Sequence, residues 1–280
     1  MTNLGYYNGK YGPLEEMSVP MNDRVCYFGD GEYDATYTAN HNIFALDEHI
    51  DRLFRSMAMI RIEPDKTKEE VKCLLKEMVR KVDSPDQFVY IQVTRGTAPR
   101  THAFPKGVKP NWWITLTPGR LYDVSRPISC ITREDTRYFH CNIKTLNLLP
   151  SVLAAQEAEE HGCKEAILYR FGRVTECAHS NVSILKDGVF QTAPADNLIL
   201  PGITRKHLIE LCGELGIPVN ESPFSVEEMM KADEIIVSSS TIHGARVEKI
   251  DGVPVGGRAP TLIKALQDAY REKFRRETSI

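Results

Sequence analysis

The sequence predicts an α+β fold in two domains. Helical and strand patterns follow one another without the regular βαβ alternation of a doubly wound parallel sheet. The chain has 280 residues, enough for two modest domains. A Pro-Gly pair at Pro118 and Gly119 indicates a link between two halves. We expect a small N-terminal α/β domain over 1–118, a linker over 119–123, and a larger C-terminal domain over 124–280 whose mixed sheet curls toward a barrel.

The predicted N-terminal domain combines two helices with three strands. Apolar side chains recur at helical spacing between residues 46 and 57, namely Leu46, Ile50, Leu53, Phe54 and Met57. A second apolar stripe predicts a helix over 68–81. Strands are predicted at 42–46, 88–95 and 112–118. The second of these contains FVYIQVT, which is rich in β-branched and aromatic residues, as buried strands are.

The predicted C-terminal domain mixes the two kinds of element more closely. Its strands are predicted at 127–133, 166–170, 181–186, 189–192 and 234–238. Its helices are predicted at 149–160, 203–215, 225–231 and 260–275. No internal repeat and no low-complexity tract interrupts this order.

Composition and charge exclude several classes of protein. The formal net charge is −3, whereas nucleic-acid binders usually show a basic excess. The apolar runs are a few residues long, so no membrane span is expected, and the N-terminus lacks the pattern of a signal peptide. The seven cysteines are scattered without a C-x-x-C pair, so we expect neither disulfides nor a metal site, and a cytoplasmic location.

Two residues are candidates for chemistry at a carbonyl group. Lys144 lies among apolar and small neutral residues in CNIKTLNLLP, and apolar surroundings favour the neutral, nucleophilic amine that forms Schiff bases. A surface lysine that extends over an apolar patch is the alternative. Glu176 follows a turn and precedes a strand, where it is either a solvated carboxylate or the partner of a protonated ring nitrogen.

A phosphate site is predicted from three further features. A predicted helix begins directly after Gly202, and Thr204 is a candidate capping residue. The exposed N–H groups at the start of that helix suit an anion. The hydroxyl cluster 238–241 follows a strand, and Arg52 on the first helix is suited to a bidentate contact. Taken singly, the helix start is equally compatible with an ordinary capped helix. The hydroxyl cluster is equally compatible with a turn, and Arg52 with a surface arginine.

A basic loop follows the predicted strand 88–95. The stretch TRGTAPRTHAF places Arg95, Arg100 and His102 close together with no acid nearby in the sequence. Guanidinium groups bind carboxylates through paired hydrogen bonds. The loop is therefore either a carboxylate-binding loop or a solvated basic loop.

The order and spacing of these motifs identify a family. The chain resembles the fold-type IV pyridoxal-phosphate-dependent aminotransferases from about residue 6 to residue 270, and bacterial D-amino-acid aminotransferases within them. The resemblance is carried by FGDGEY with Tyr33, EHIDRL with Arg52, VTRGTAPRTH, IKTLNLL with Lys144, VTE with Glu176, ILPGITR and the hydroxyl cluster.

The resemblance implies a transferase with pyridoxal 5'-phosphate as cofactor. Lys144 is expected to bind the cofactor covalently and to carry the proton, and Glu176 to pair with the ring nitrogen. The implied phosphate ligands are Arg52, Ile203, Thr204, Ser239 and Ser240. The implied substrate ligands are Tyr33, Arg100 and His102. In the family this last loop comes from a neighbouring subunit, so a homodimer is implied.

The segment from Pro99 to His102 favours D-amino acids such as D-alanine as donors, with a 2-oxo acid, 2-oxoglutarate first, as acceptor in a ping-pong reaction. The alternatives on the same scaffold are a branched-chain L-amino-acid or (R)-amine transaminase and an aminodeoxychorismate lyase. A non-catalytic protein that binds a small acid is the alternative of another class. The chain departs from the common pattern at Cys177–His179 and at His243 and Arg246, where substrate preference is expected to change.

Overall fold

The computed structural model describes residues 1–279. They form two compact units. The first unit comprises 1–120, 143–147 and the residues from Phe274 onward, and the second comprises 121–142 and 148–273. No helix in this described range is long and apolar enough to cross a bilayer.

The first unit is built on a six-stranded antiparallel sheet in the order β2-β1-β6-β5-β3-β4. Its strands are β1 (Leu4–Tyr7), β2 (Lys10–Gly12), β3 (Gly31–Ala39), β4 (Asn42–Ile43), β5 (Gln87–Thr94) and β6 (Asn111–Pro118). Its helices are α1 (Arg24–Phe28), α2 (Leu46–Met59) and α3 (Lys68–Val79).

The core of the first unit lies between this sheet and the apolar faces of α2 and α3. The α2 residues Leu53 and Met57 are fully buried, together with Val71 of α3. A capping box opens α3, because Thr67 accepts from the amide of Glu70 while the Glu70 side chain accepts from that of Thr67. These features confirm the two amphipathic helices predicted from the sequence.

The second unit is built on a nine-stranded mixed sheet in the order β12-β11-β10-β13-β14-β7-β8-β9, with β15 beside β14. Its strands are β7 (Ile128–Glu134), β8 (Glu165–Arg170), β9 (Arg173–Cys177), β10 (Asn181–Lys186), β11 (Val189–Thr192), β12 (Val219–Asn220), β13 (Glu234–Ser238), β14 (Ala245–Ile250) and β15 (Val253–Pro254). Its helices are α4 (Leu149–Glu160), α5 (Ile203–Glu214), α6 (Val226–Met230) and α7 (Pro260–Thr278), whose last residues belong to the first unit.

The order of elements confirms the α+β class, but one predicted strand was wrong and some strands were missed. The strand predicted at 42–46 is only the two-residue β4, and Leu46 already begins α2. The nine-residue β3 was not predicted, because the side chains that it buries are mainly polar. Further strands were also missed, namely β1, β2, β9, β12, β14 and β15.

The proposed domain limits remain a prediction, and the compact units differ from them in two places. The segment 143–147 belongs to the first unit, where Thr145 forms a β-bridge with Glu32. The end of α7 belongs there as well, because the ring of Phe274 packs 4.7 Å from that of Phe44. The composition of the sequence does not reveal when a short segment of the second half packs in the first unit.

Candidate active site

Lys144 lies in the first unit, on the short extended segment 143–147. Its carbonyl oxygen accepts from the amide of Tyr33 at 3.0 Å, and its own amide donates to the Ser56 hydroxyl at 3.3 Å. These bonds fix the backbone of the lysine between β3 and α2. The Nζ atom lies 4.2 Å from the centre of the Tyr33 ring, where a ring face stabilises a cation. The structure thus brings Lys144 and Tyr33 together.

Arg52 is buried in the first unit against an aspartate that the sequence did not single out. Its Nε and Nη2 atoms donate to Asp34 at 2.8 and 2.7 Å, and His49 Nδ1 lies 2.7 Å from the same carboxylate. Burial alone would raise the pKa of Asp34, but Arg52 and His49 outweigh it and hold that pKa well below its usual range. The Nη1 edge of Arg52 is left over for another acceptor.

Glu176 lies at the end of β9 in the second unit, buried and held by three donors. Arg137 Nη1 donates to Oε1, while Asn181 Nδ2 and the Leu200 amide donate to Oε2 at 2.9 and 3.0 Å. Burial raises the pKa of Glu176 to about 7, although Arg137 acts in the opposite direction. A carboxylate has about four acceptor positions, so one remains for a further donor.

Arg137 is a buried partner of Glu176 that the sequence did not single out. Besides Glu176 it binds Asp135, through Nε at 3.0 Å and Nη2 at 2.8 Å, and Arg170 donates to Asp135 at 3.0 Å. All four side chains are buried or nearly so. The only signal in the sequence was the charged stretch REDTR, which does not reveal its partner 39 residues later.

The start of α5 has the form predicted for an anion site. Its N-cap is Gly202, which offers no side-chain bond to the first N–H groups. Thr204 is therefore not the cap: it lies within the first turn, and its hydroxyl is 3.2 Å from that of Tyr270. A Cβ atom at 202 would lie 2.0 Å from Asn181 Oδ1, so this approach requires glycine.

The hydroxyl cluster follows β13 in the same unit as α5. Ser239 and Ser240 are half-buried, and Ser239 Oγ lies 3.0 Å from Thr241 Oγ1. The second unit therefore holds Ile203, Thr204, Ser239, Ser240 and Glu176. The first unit holds Lys144, Tyr33 and Arg52.

The basic loop lies in the first unit and rests on α1. The guanidinium carbon of Arg100 is 5.1 Å from the centre of the Phe28 ring, and the His102 ring is 5.2 Å from it. Arg24 donates to the carbonyl of Thr101 at 2.7 Å and steadies the loop. Arg100 and His102 are exposed and available for a ligand.

Arg95 is different from the other two basic residues of this loop. It donates from Nε to both oxygens of Asp30, at 3.0 and 2.9 Å, and to the carbonyls of Ile60 and Arg61. No acid lies near Arg95 in the sequence, but in the structure Asp30, just beyond the end of α1, reaches it. Arg95 is thus a structural residue of the loop.

The departures from the common pattern have distinct surroundings. His243 is buried, with its ring 5.1 Å from that of Tyr270, and burial lowers its pKa to about 4. Arg246 lies on β14 opposite Ile236. His179 Nδ1 is 3.0 Å from the buried carboxylate of Glu165. Within residues 1–279, no three His, Cys, Asp or Glu side chains are grouped as metal ligands.

Comparison with known proteins agrees with this arrangement. The family model described as Amino-transferase class IV matches residues 31–250. A D-alanine aminotransferase of Bacillus licheniformis is 39% identical over 98% of each chain, and one of Listeria monocytogenes is 42% identical over 88% of each. A branched-chain aminotransferase structure from Thermoproteus uzoniensis superimposes with a TM-score of 0.90 at 26% identity, covering 99% of this chain and 96% of that one.

These matches confirm the predicted fold type and the predicted class of enzyme. They extend over the stretches that hold Lys144 and Glu176 as well as over the helices and sheets around them. The chain therefore belongs to the class IV aminotransferases.

Proposed function

We propose that this class IV aminotransferase moves the amino group of a D-amino acid, such as D-alanine, to 2-oxoglutarate in a ping-pong reaction. The donor class is supported by relatives named D-alanine aminotransferases that match most of the chain. The chemistry is supported by one observation above all, the amine of Lys144 over the Tyr33 ring. Within residues 1–279 no carboxylate forms a salt bridge with this amine.

The cofactor in this proposal is pyridoxal 5'-phosphate. When bound, it supplies an aldehyde that accepts the amino group and a ring that withdraws electrons from the substrate α-carbon. The residues present fit such a group. Glu176 has an acceptor position left for a ring N–H, and α5 begins with N–H groups that no side chain caps.

Lys144 is the nucleophile and the proton carrier. Its Nζ atom would hold the cofactor, and the free amine would take the proton from the substrate α-carbon. The protonated amine then lies against the Tyr33 ring, which stabilises it without neutralising it. A permanent ion pair with a carboxylate would stabilise the ammonium form, so less of the amine would be in the neutral form that this step requires.

Glu176 and its donors keep the ring nitrogen protonated. The pKa of about 7 leaves this carboxyl close to half protonated near neutral pH, even with the Arg137 guanidinium beside it. A protonated ring nitrogen favours the carboxylate form, so the pair is mutually stabilising. Arg137 and Asn181 hold the carboxylate in position for that contact.

The phosphate is held by backbone and side-chain donors in this proposal. Ile203 and Thr204 donate backbone N–H groups of the first α5 turn, where the helix dipole favours an anion. Ser239 and Ser240 donate hydroxyls, and Arg52 donates through the Nη1 edge that Asp34 leaves over.

Arg100, His102 and Tyr33 are proposed to hold the substrate α-carboxylate in a homodimer. Support for a dimer comes from α4, whose residues Leu149 and Leu153 are apolar and exposed. Sedimentation velocity should give a single dimer species, and Leu153→Lys should weaken it. A monomer at micromolar concentration with full activity would contradict the dimer.

We also propose a cytoplasmic location, supported by seven free cysteines.

Amino-donor profiling with both enantiomers tests the proposed function. D-Alanine with 2-oxoglutarate should give pyruvate, and L-leucine should give no turnover. Faster transfer from L-leucine than from any D-amino acid would instead assign a branched-chain activity. Turnover of D-alanine should disappear in Lys144→Ala, whereas Lys164→Ala, at an exposed lysine, should retain it. Multiple turnover by Lys144→Ala without added amine would contradict the role of Lys144.

A further inference from the structure

Glu32 is a buried carboxyl group for which the proposed mechanism has no use. Its side chain is 0% exposed, and neither oxygen has a hydrogen-bond partner among residues 1–279. An isolated carboxylate without donors is strongly disfavoured in a protein interior. The group is therefore held as a neutral acid, unless a cation comes close enough to stabilise its charge.

Four titratable groups around Glu32 come from three elements. Asp34 lies two residues further on β3 and is ionised through its bonds with Arg52 and His49 of α2. The fourth group is Lys144, on the segment 143–147. Burial raises the pKa of Glu32 well above its usual range and Asp34 adds to this, whereas Arg52 and Lys144 act in the opposite direction.

Of the two cations, only Lys144 lacks a carboxylate of its own. Arg52 already donates twice to Asp34. No salt bridge of Lys144 occurs in the described part of the chain, where its nearest cation-stabilising group is the Tyr33 ring. Among the other titratable groups, the Tyr90 hydroxyl on β5 is a neutral neighbour whose pKa is raised by burial, Tyr33 and Glu32.

The backbone keeps Glu32 and Lys144 in a fixed relation. Glu32 forms a β-bridge with Thr145, the residue after the lysine, and the amide of Tyr33 donates to the Lys144 carbonyl at 3.0 Å. Two adjacent residues of β3 are thus tied to two adjacent residues of the lysine segment. This pairing keeps the backbones of Glu32 and Lys144 next to each other.

We propose that Glu32 is a positioning residue that sets the protonation state of the Lys144 amine. The inference rests on the proposed function, in which Lys144 is the nucleophile. While the amine is neutral, Glu32 keeps its proton. When the Lys144 nitrogen is protonated, Glu32 releases its proton and becomes the counter-ion. The two groups titrate as a coupled pair, so a change at one displaces the pH midpoint of the other.

A pH titration of the full-length chain loaded with pyridoxal phosphate tests this assignment. The near-visible absorbance of the bound cofactor reports whether the nitrogen that joins it to Lys144 carries a proton. Because Glu32→Gln cannot form an anion, the protonated nitrogen loses its counter-ion. Its pH midpoint should fall by about one unit or more. Glu63→Gln, at an exposed glutamate of the same unit, should leave the midpoint unchanged.

A second variant and a second readout separate this role from a merely structural one. Glu32→Val also removes the charge and should shift the midpoint in the same direction even if one of the variants is less stable. Without cofactor, the stability of Glu32→Gln relative to the parent chain should increase as the pH rises, because the parent must either ionise a buried acid or retain its proton.

An unchanged absorbance midpoint in both Glu32→Gln and Glu32→Val would overturn the assignment. Failure of the proposed function looks different, because Lys144→Ala would then retain a titrating near-visible band. If the band disappears in Lys144→Ala while the Glu32 variants titrate like the parent, only the inference about Glu32 fails.

Discussion

Asn181 occupies the space that a side chain at position 202 would need. Its Oδ1 atom lies 2.0 Å from the position of a Cβ atom on Gly202, while its Nδ2 atom donates to Glu176 Oε2 at 2.9 Å. The same amide nitrogen donates to the carbonyl of Leu200, also at 2.9 Å. One side chain thus connects the carboxylate assigned to the ring nitrogen with the helix start assigned to the phosphate.

Gly202→Ala should therefore disturb both assigned contacts at once. The new methyl group must displace Asn181, which breaks its bond to Glu176 and moves the first turn of α5. Such overpacking typically costs about 1–3 kcal/mol in the free energy of unfolding. We expect a loss of that size in urea denaturation, together with at least about tenfold weaker binding of pyridoxal phosphate, the factor that corresponds to 1.4 kcal/mol.

Gly213→Ala provides the matched control for this change. Gly213 lies near the end of the same helix, and a Cβ atom there would meet nothing within 4 Å. Alanine at such a site should be neutral or should stabilise the helix by up to about 1 kcal/mol. Equal behaviour of the two variants would show that the Asn181 approach has no energetic weight.

Arg137→Gln should strongly destabilise the second unit. It leaves the buried carboxylates of Glu176 and Asp135 without a shared cation, and removing one partner of a buried pair costs about 3–5 kcal/mol. The loss should be largest at pH 8 and smaller at pH 5, where Glu176 can take up a proton. Urea denaturation at both pH values measures it.

Arg133→Gln is the control for the loss of an arginine. Arg133 pairs with Glu157 at 2.6 Å on the surface, and such pairs contribute about 1 kcal/mol or less. If Arg137→Gln costs no more than Arg133→Gln at pH 8, the buried cluster does not stabilise the second unit as argued.

The sequence predicted those parts of the site that a local pattern carries. Lys144 and Glu176 stand in short motifs and Gly202 directly precedes a helix, but each motif alone also fitted an ordinary surface residue or a capped helix. The order of the motifs, through the family resemblance, selected them as site candidates. Arg137 and Asp34 were missed because their roles depend on partners 39 and 18 residues away. Glu32 was missed with β3 itself, since a strand that buries acidic residues does not show the apolar alternation from which strands are recognised.

The carboxyl of Glu176 should make the cofactor-free protein less stable as the pH rises. Its pKa of about 7 exceeds the ordinary value of 4.5, so the folded chain binds more protons than the unfolded chain between these two values. Stability from this group is therefore present below pH 4.5 and is lost as the pH rises to about 7. The loss is on the order of 3 kcal/mol, at 1.4 kcal/mol per unit.

Glu176→Gln should remove this pH dependence. The difference in unfolding free energy between the variant and the parent chain, measured in urea from pH 4.5 to pH 8, should move in favour of the variant. Hydrogen bonds that the substitution changes add a constant to this difference at every pH, and so they do not alter its dependence on pH. A difference that stays flat over this range would show that Glu176 is already ionised at pH 5, and with it that burial does not control its pKa.

Arg100 should act on the substrate carboxylate and on nothing else in the reaction. Removing a charged hydrogen-bond donor costs about 1.5–3 kcal/mol, so Arg100→Ala should lower kcat/KM for D-alanine by about 10- to 150-fold. Lys106→Ala, an exposed cation a few residues further on, should have little effect and so controls for loss of charge. Initial rates with varied D-alanine at saturating 2-oxoglutarate give kcat and KM.

A donor without a carboxylate makes the test of Arg100 specific. With an (R)-amine such as (R)-1-phenylethylamine, the guanidinium has no partner on the donor, so Arg100→Ala should not reduce the initial rate of the half-reaction with that amine. A general disturbance of the loop that Arg24 supports would reduce the rates with both donors equally. Equal losses with both donors would show that Arg100 does not bind the substrate carboxylate. A loss confined to D-alanine would assign the carboxylate contact to Arg100, because the two donors differ at the group that a guanidinium binds.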